Sequence, residues 1–100
     1  MAIELGFTHH PGKILKDLYL ADLGVSPAKL AQAIKVSPAS VSRLLNGKAK
    51  MSVDMAQRLS AALGTTTDLW INLQTQYDLF NAKQHPIDTS EIEPLNIAAE

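Results

Sequence analysis

The sequence has no cysteine, no long apolar run and only five aromatic residues. Without cysteine the chain cannot form a disulfide framework, a zinc–thiolate site or a thiol nucleophile. No apolar run approaches the ~18–20 residues that a membrane-spanning helix needs. The first residues, Met1 to Leu5, lack the basic start and the apolar core of a signal peptide. We therefore expect a protein of the reducing cytoplasm with no membrane partner.

The chain does have the composition of one globular domain. Its 100 residues are 46% hydrophobic and carry a net charge of −1, which argues against disorder and against most multi-domain enzymes. Sustained apolar–polar alternation, the pattern typical of strands, is missing. Apolar residues instead recur at helical spacing in five segments. The sequence therefore predicts a compact all-α domain of five helices.

Cap residues mark where these helices begin. The first begins near Pro11, because proline suits the first helical position. The other four begin at hydroxyl N-caps, which are Ser26, Ser37, Ser52 and Thr66. The residues expected to face the core are, in helix order, Ile14, Leu15, Leu18 and Tyr19; Leu30, Ala31 and Ile34; Val41, Leu44 and Leu45; Met55, Ala56, Leu59, Ala62 and Leu63; and Leu69, Trp70, Leu73, Tyr77 and Phe80. The periodicity ends after about residue 82.

Charge is unevenly distributed along the chain. Residues 24–64 carry six basic residues against Asp54 alone, a net charge of +5, whereas residues 78–100 have a net charge of −4. Binding to a polyanion depends on the local potential, so the basic segment permits contact with phosphates. An ordinary solvated lysine surface also explains these charges.

Two short helices within residues 26–47 are joined by about three residues, Lys35 to Ser37. This is helix-turn-helix architecture, in which the small side chain of Ala31 lets the two helices approach closely. The second helix has a small, polar face opposite its apolar stripe, and this face carries one arginine, Arg43. Such a face can enter a major groove, where Arg43 is long enough to reach a guanine edge. An ordinary helical bundle with a solvated arginine remains the alternative.

The order of these residues resembles the Cro/C1-type (lambda repressor-like) helix-turn-helix family of transcription regulators. The similar segments within the motif are Leu30-Ala31, Val36-Ser37, Val41-Ser42-Arg43-Leu44-Leu45 and Asn46-Gly47-Lys48. The flanks are similar to the HigA-type antitoxins of that family, in the segments His10-Pro11-Gly12, Leu69-Trp70-Ile71-Asn72-Leu73-Gln74 and Ile87-Asp88-Thr89-Ser90. The resemblance covers roughly residues 9–90 and depends on the ordered set of motifs.

The resemblance implies a function that composition does not supply. HigA-type proteins are antitoxins of type II toxin–antitoxin modules, and they bind and neutralise a HigB-type toxin, a ribosome-dependent mRNA endonuclease. As homodimers they also repress their own operon by binding operator DNA, and some relatives are virulence-associated proteins. We therefore expect an antitoxin and operator-binding repressor. The alternatives are a solitary repressor without a toxin, and a protein-interaction bundle that has lost DNA binding.

This interpretation assigns roles along the chain. A DNA-binding domain is expected over residues 1–82, with the helix-turn-helix at 26–47 and a dimerisation helix at about 67–81. Residues 83–100 are expected to form an extended or disordered acidic tail. Lys48 and Lys50 follow the second helix of the motif, where lysines can hold phosphates. The residues expected to contact operator DNA are Ser37, Ala39, Ser40, Ser42, Arg43, Asn46, Lys48 and Lys50.

The fifth helix has an apolar face too wide for the end of a small bundle to cover alone. One recognition helix contacts few base pairs, so a two-fold dimer is needed to place two of them on DNA. We expect dimer contacts from Leu69, Tyr77 and Phe80, while Trp70 and Leu73 pack within the monomer.

Two positions depart from the Cro/C1 pattern. Pro27 stands where the family often has glutamine, so a phosphate contact from that side chain is lost, together with one backbone N–H. Lys35 stands at a turn position that is usually glycine. A left-handed backbone at a residue other than glycine costs on the order of 1 kcal/mol.

No catalytic, metal or cofactor site is expected. The adjacent His9 and His10 point in different directions and no acid at helical spacing joins them, so a capping or surface role is favoured over a metal site. The serines lack a Ser–His–acid order and a nucleophile elbow. Gly47-Lys48 lacks the rest of a phosphate-binding loop. We therefore expect a protein that is not an enzyme.

Overall fold

A computed structural model describes residues 9–96 of the chain. The N-terminal residues in which no signal peptide is expected, and the last four residues of the predicted tail, lie outside this range. Within it the chain forms five helices and no strand, which confirms the all-α prediction. The helices are α1 (Pro11–Ile14, Leu15–Leu20 and Ala21–Leu23 in succession), α2 (Pro27–Ile34), α3 (Pro38–Leu45), α4 (Val53–Leu63) and α5 (Thr67–Gln84).

Side-chain caps define where the helices begin. Four hydroxyl groups each accept a hydrogen bond from the backbone N–H three residues further on, at 3.0–3.1 Å, as predicted: Ser26, Ser37, Ser52 and Thr66. His10 caps α1, because its Nδ1 accepts a hydrogen bond from Gly12 N–H at 2.9 Å. Each cap satisfies a donor that the first helical turn leaves unpaired, and a hydroxyl cap is worth about 1 kcal/mol.

The middle of α1, over Leu15–Leu20, is wound as a π-helix, with hydrogen bonds that reach back five residues. Side chains five apart therefore face the same way, and both Leu15 and Leu20 are buried. Leu18, expected in the core from a period of 3.6 residues, is 55% exposed. That prediction is wrong because the wider winding turns Leu18 towards solvent.

The core lies where α2, α3 and α4 meet α1 and α5. The predicted apolar stripes of α2 and α3 are confirmed, since all six side chains are at most 6% exposed: Leu30, Ala31, Ile34, Val41, Leu44 and Leu45. Ala31 is 1% exposed, which agrees with its predicted role at the crossing of the two helices. On α4, Ala56 and Leu59 are buried, but Ala62 is exposed, contrary to prediction, because it lines an open hollow beside α2.

The turn of the helix-turn-helix runs from Lys35 to Ser37, as predicted. Lys35 adopts a left-handed conformation, with φ 65° and ψ 43°, and is the one residue other than glycine with positive φ among residues 9–96. Arg58 on α4 stabilises the turn, because its Nη1 donates to Ile34 O at 2.8 Å and to Lys35 O at 3.4 Å. This contact fixes α4 against the end of α2.

Helix α5 is less completely packed than the helices before it. Only Trp70 and Gln74 are buried, and Trp70 Nε1 donates to Thr65 Oγ1 at 2.7 Å. The other apolar side chains expected on its inner face are half-buried: Leu69, Leu73, Tyr77 and Phe80. Residues 86–96 are exposed and form neither helix nor strand, whereas Lys83 and Gln84, expected at the start of the tail, belong to α5. No helix within residues 9–96 is both long and apolar enough to cross a membrane.

Candidate nucleic-acid interface

The eight predicted contact residues lie along one side of α3 and in the loop that follows it. Val41, Leu44 and Leu45 hold the opposite side of α3 in the core. Ser40 is half-buried, and the other seven residues are exposed: Ser37, Ala39, Ser42, Arg43, Asn46, Lys48 and Lys50. Apart from Arg43 the outer face of α3 carries only small or short polar side chains, so another macromolecule can approach its backbone closely.

Serine hydroxyls organise this face. Ser37 Oγ accepts from Ser40 N–H at 3.1 Å, and the Ser37 hydroxyl donates to Ser40 Oγ at 2.9 Å. Ser40 Oγ also accepts from Arg43 Nη2 at 3.4 Å. On the next turn Asn46 Nδ2 donates to Ser42 Oγ at 3.4 Å. The side chains of Arg43 and Asn46 are therefore oriented by serine hydroxyls, of which Ser40 is half-buried and Ser42 is exposed.

The charges of this surface are mostly unneutralised. The ion pairs within residues 9–96 include neither Arg43 nor Lys48. Lys50 Nζ lies 3.7 Å from Asp78 Oδ2 on α5, but both side chains are well exposed, so solvent screens the attraction. The face consequently presents a positive potential to an approaching anion.

The loop after α3 is tied to α1 and α5 by His10. Besides capping α1, this imidazole forms a hydrogen bond with the backbone of Ala49 and packs edge-on against the Tyr77 ring, with ring centroids 5.2 Å apart. Burial lowers the pKa of His10 below its ordinary value of 6.5, although the bond to Ala49 and the charge of Asp78 act in the opposite direction. His10 is consequently neutral at pH 7, as its role as an acceptor requires.

A second tie joins the same loop to α5. Gln74 is 6% exposed, and its Oε1 accepts from Met51 N–H at 2.7 Å. Its Nε2 donates to Asp78 Oδ1 at 3.0 Å, so both ends of the buried amide are paired. The loop that carries Lys48 and Lys50 is therefore held at Ala49 by His10 and at Met51 by Gln74.

Comparison with known proteins agrees with this geometry. A helix-turn-helix family model matches residues 15–70. Virulence-associated protein I of Dichelobacter nodosus is 37% identical over 90 residues, which are 90% of this chain and 83% of that protein. Antitoxin HigA of Pseudomonas aeruginosa, solved with the higBA promoter, is 41% identical with a TM-score of 0.74, over 87% of this chain and 97% of that one. Antitoxin GraA in complex with its operator is 39% identical with a TM-score of 0.78, over 91% and 93% of the two chains.

The chain belongs to the Cro/C1-type helix-turn-helix family. Within it the chain is similar to HigA-type antitoxins, which confirms the resemblance seen in the sequence. The family consists of DNA-binding antitoxins and transcription regulators, so the expectation of a protein that is not an enzyme is confirmed by membership. Among residues 9–96 no group of three or more histidine, aspartate or glutamate side chains is placed to hold a metal ion.

Sequence reasoning missed three side chains that support the helix-turn-helix. Arg58 pairs through Nε with Asp54 at 2.9 Å, and the i, i+4 spacing of the two residues was a readable signal. Gln74 was signalled by its position as a polar residue in the apolar stripe of Trp70 and Tyr77. The contact of His10 with the loop after α3 has no signal in the sequence, because it joins residues that are about 40 apart.

Proposed function

We propose that this HigA-type antitoxin binds the operator of its own operon as a homodimer in the cytoplasm and neutralises a HigB-type toxin. The DNA-binding part of this proposal rests on one observation. The outer face of α3 is exposed, short-chained and polar, and it presents Arg43 with no carboxylate to pair with among the described residues. The solved complexes of HigA with promoter DNA and of GraA with its operator support the same role for this chain.

The proposed contacts divide into base-reading and phosphate-binding groups. Arg43 and Asn46 reach base edges in the major groove, since they are the longest polar side chains on the outer face of α3. Lys48 and Lys50, which lie in the loop after α3, bind phosphates of the DNA. Lys50 first gives up its exposed ion pair with Asp78. The remaining contacts come from residues short enough to let the helix enter the groove: Ser37, Ala39, Ser40 and Ser42.

The proposed dimer is built on α5. Leu69 and Phe80 form one stripe on this helix and are half-buried within the monomer, while Leu73 packs against the core of its own chain. Burying this stripe against a second copy removes apolar area from water and pairs two recognition helices for half-sites about 34–36 Å apart. Tyr77 is better assigned to the monomer, because its ring packs against His10.

The toxin part of the proposal is supported by family membership. We expect the reading frame beside this gene to encode a small toxin that co-purifies with this chain. The chain should also retard a duplex taken from upstream of its own reading frame, and not a scrambled duplex of equal length. DNA binding without a toxin partner would indicate a solitary repressor. A toxin partner with weak, salt-independent DNA binding would indicate a protein-interaction module.

A further inference from the structure

A cleft of about 460 Å³ opens beside the C-terminal end of α3, and of the eight residues assigned to DNA contact only Asn46 lines it. One wall comes from the start of α1 and carries Lys13 and Lys16. The facing wall is the end of the recognition helix, with Asn46 and Gly47. The cleft is continuous with the proposed DNA surface, because Asn46 belongs to both.

The start of α1 is fixed rigidly against the end of α3. Gly12 packs on the backbone of Leu44 so closely that an added Cβ would lie 2.7 Å from Leu44 C. His10 binds Gly12 N–H on one side and the Ala49 backbone on the other. The backbone that carries the lysines of the cleft is therefore packed directly against the end of the recognition helix.

The positive charge of the cleft comes from its lysines, since His10 is neutral at pH 7. Lys16 is exposed and takes part in none of the ion pairs within residues 9–96. Lys13 Nζ is 2.8 Å from Asp17 Oδ2, and this hydrogen bond holds the pKa of Asp17 below its ordinary value. Lys16 can therefore bind an anion without first breaking an ion pair, whereas Lys13 already pairs with Asp17.

The position of the cleft decides which anion it would meet. A helix lying in a major groove about 12 Å wide has a sugar–phosphate backbone on each side. The loop lysines, Lys48 and Lys50, face one run of phosphates. The cleft lies at the end of the same helix and is walled by α1, so its lysines would meet the sugar–phosphate backbone at a point apart from Lys48 and Lys50.

We propose that this cleft is a phosphodiester-binding subsite, in which Lys16 holds a backbone phosphate of the DNA contacted by α3 and Asp17 weakens the contribution of Lys13. The inference rests on the proposed DNA binding. The subsite adds affinity without sequence preference, because it contacts no base. Asp17 acts as an opposing charge at its edge.

The test compares substitutions of opposite sign on α1. Lys16→Gln should lower affinity about threefold to tenfold for both the upstream duplex and a scrambled duplex. It should also reduce the slope of log K against log salt by about 0.9. Asp17→Asn should raise affinity for both duplexes about twofold or more, because it frees Lys13 and removes a negative charge. Lys16→Arg should keep the slope of the wild type.

Lys83→Gln is the charge-matched control, since it removes the same charge from an exposed position near the end of α5. Equal losses for Lys16→Gln and Lys83→Gln would overturn the subsite in favour of a general charge effect. If Arg43→Ala weakens binding while Lys16→Gln leaves the salt slope unchanged, the subsite is wrong and the proposed function stands. If the wild type binds neither duplex, both are wrong.

Discussion

The recognition region, which comprises α2 to α4, differs from helix α5 in how completely its apolar side chains are buried. In α2 and α3 every apolar residue at helical spacing is buried, and the outward face is left polar. In α5 the apolar residues surround much of the helix, and only Trp70 and Gln74 are buried. The apolar stripes of α2 and α3 are buried within one chain, whereas α5 leaves apolar surface that a partner can cover.

Charge separates the same regions. Residues 24–64 have a net charge of +5, and residues 78–100 have a net charge of −4. Up to residue 96 the acidic residues of this segment lie at the end of α5 and in the exposed tail. Within residues 9–96 the pair of Asp78 with Lys50 is the one ion pair that joins them to the basic segment. The two regions therefore suit different partners, an anion for the first and an apolar protein surface for the second.

Placing a charged residue on the apolar stripe of α5 tests most sharply whether this helix forms the dimer interface. Phe80→Asp should convert the dimer into a folded monomer, because burying an unpaired carboxylate at the interface is costly. Operator affinity should fall on the order of 10²-fold or more as the linkage of two recognition helices is lost. Sedimentation measures the first effect and fluorescence anisotropy the second.

Thr75→Asp is the matched control, since Thr75 is exposed on another side of α5. It should leave the dimer intact. A dimer that persists in Phe80→Asp would place the interface elsewhere, on α1 or the tail.

Gly12→Ala tests how tightly the recognition region is closed by α1. Alanine normally stabilises a helix relative to glycine, but here the added methyl group meets the backbone of Leu44. We expect a loss of about 2–3 kcal/mol in the free energy of unfolding, measured by urea denaturation. Gly24→Ala, at φ +67° with open space around it, should lose only about 1 kcal/mol. Equal losses would show that the contact with Leu44 is not tight.

Gln74→Leu tests the link between the two regions. The substitution leaves the buried Met51 N–H without its acceptor, so we expect a loss of about 1–2 kcal/mol of stability. Asp78→Asn keeps an acceptor for Gln74 Nε2 and leaves the bond to Met51 in place, so it should lose less in urea denaturation at pH 7. A leucine variant as stable as the wild type would mean that Met51 finds another acceptor.

Lys35→Gly tests the strained turn and should have the smallest effect. Glycine removes the steric cost of the left-handed backbone, and the greater freedom of the unfolded chain offsets part of this gain. We expect a gain of up to about 1 kcal/mol and a higher Tm, with operator affinity unchanged. A lower Tm would show that the Lys35 side chain stabilises the turn more than its backbone strains it.

The parts predictable from sequence are those governed by neighbouring residues. Hydroxyl caps and apolar spacing located α2 to α5 because both act within a few residues of Ser26, Ser37 and their counterparts. Leu18 was misplaced because nothing local marks a switch from an α-helical to a π-helical period. The contact of Tyr77 with His10 was missed for a different reason, since the two residues are far apart in the sequence.

The residues of α3 that form the proposed DNA surface were predictable from the sequence. How far that surface extends beyond α3 was not. The helical wheel identifies Arg43 and Asn46 as outward-facing once Val41 is taken as buried. The cleft with Lys16 depends on how α1 lies against the end of α3, which follows from the contact of Gly12 with Leu44 and from no spacing in the sequence. Contacts between distant elements are therefore the portion that required the structure.

The measurement that tests the central claim most directly is the affinity of Arg43→Ala for the upstream and scrambled duplexes, at one fixed salt concentration. Arg43 is exposed, so the variant should keep the wild-type Tm. Its affinity for the upstream duplex should fall by roughly 1–3 kcal/mol per half-site, with little change for the scrambled duplex. Wild-type affinity and preference in a folded Arg43→Ala protein would contradict the assignment of α3 to the major groove.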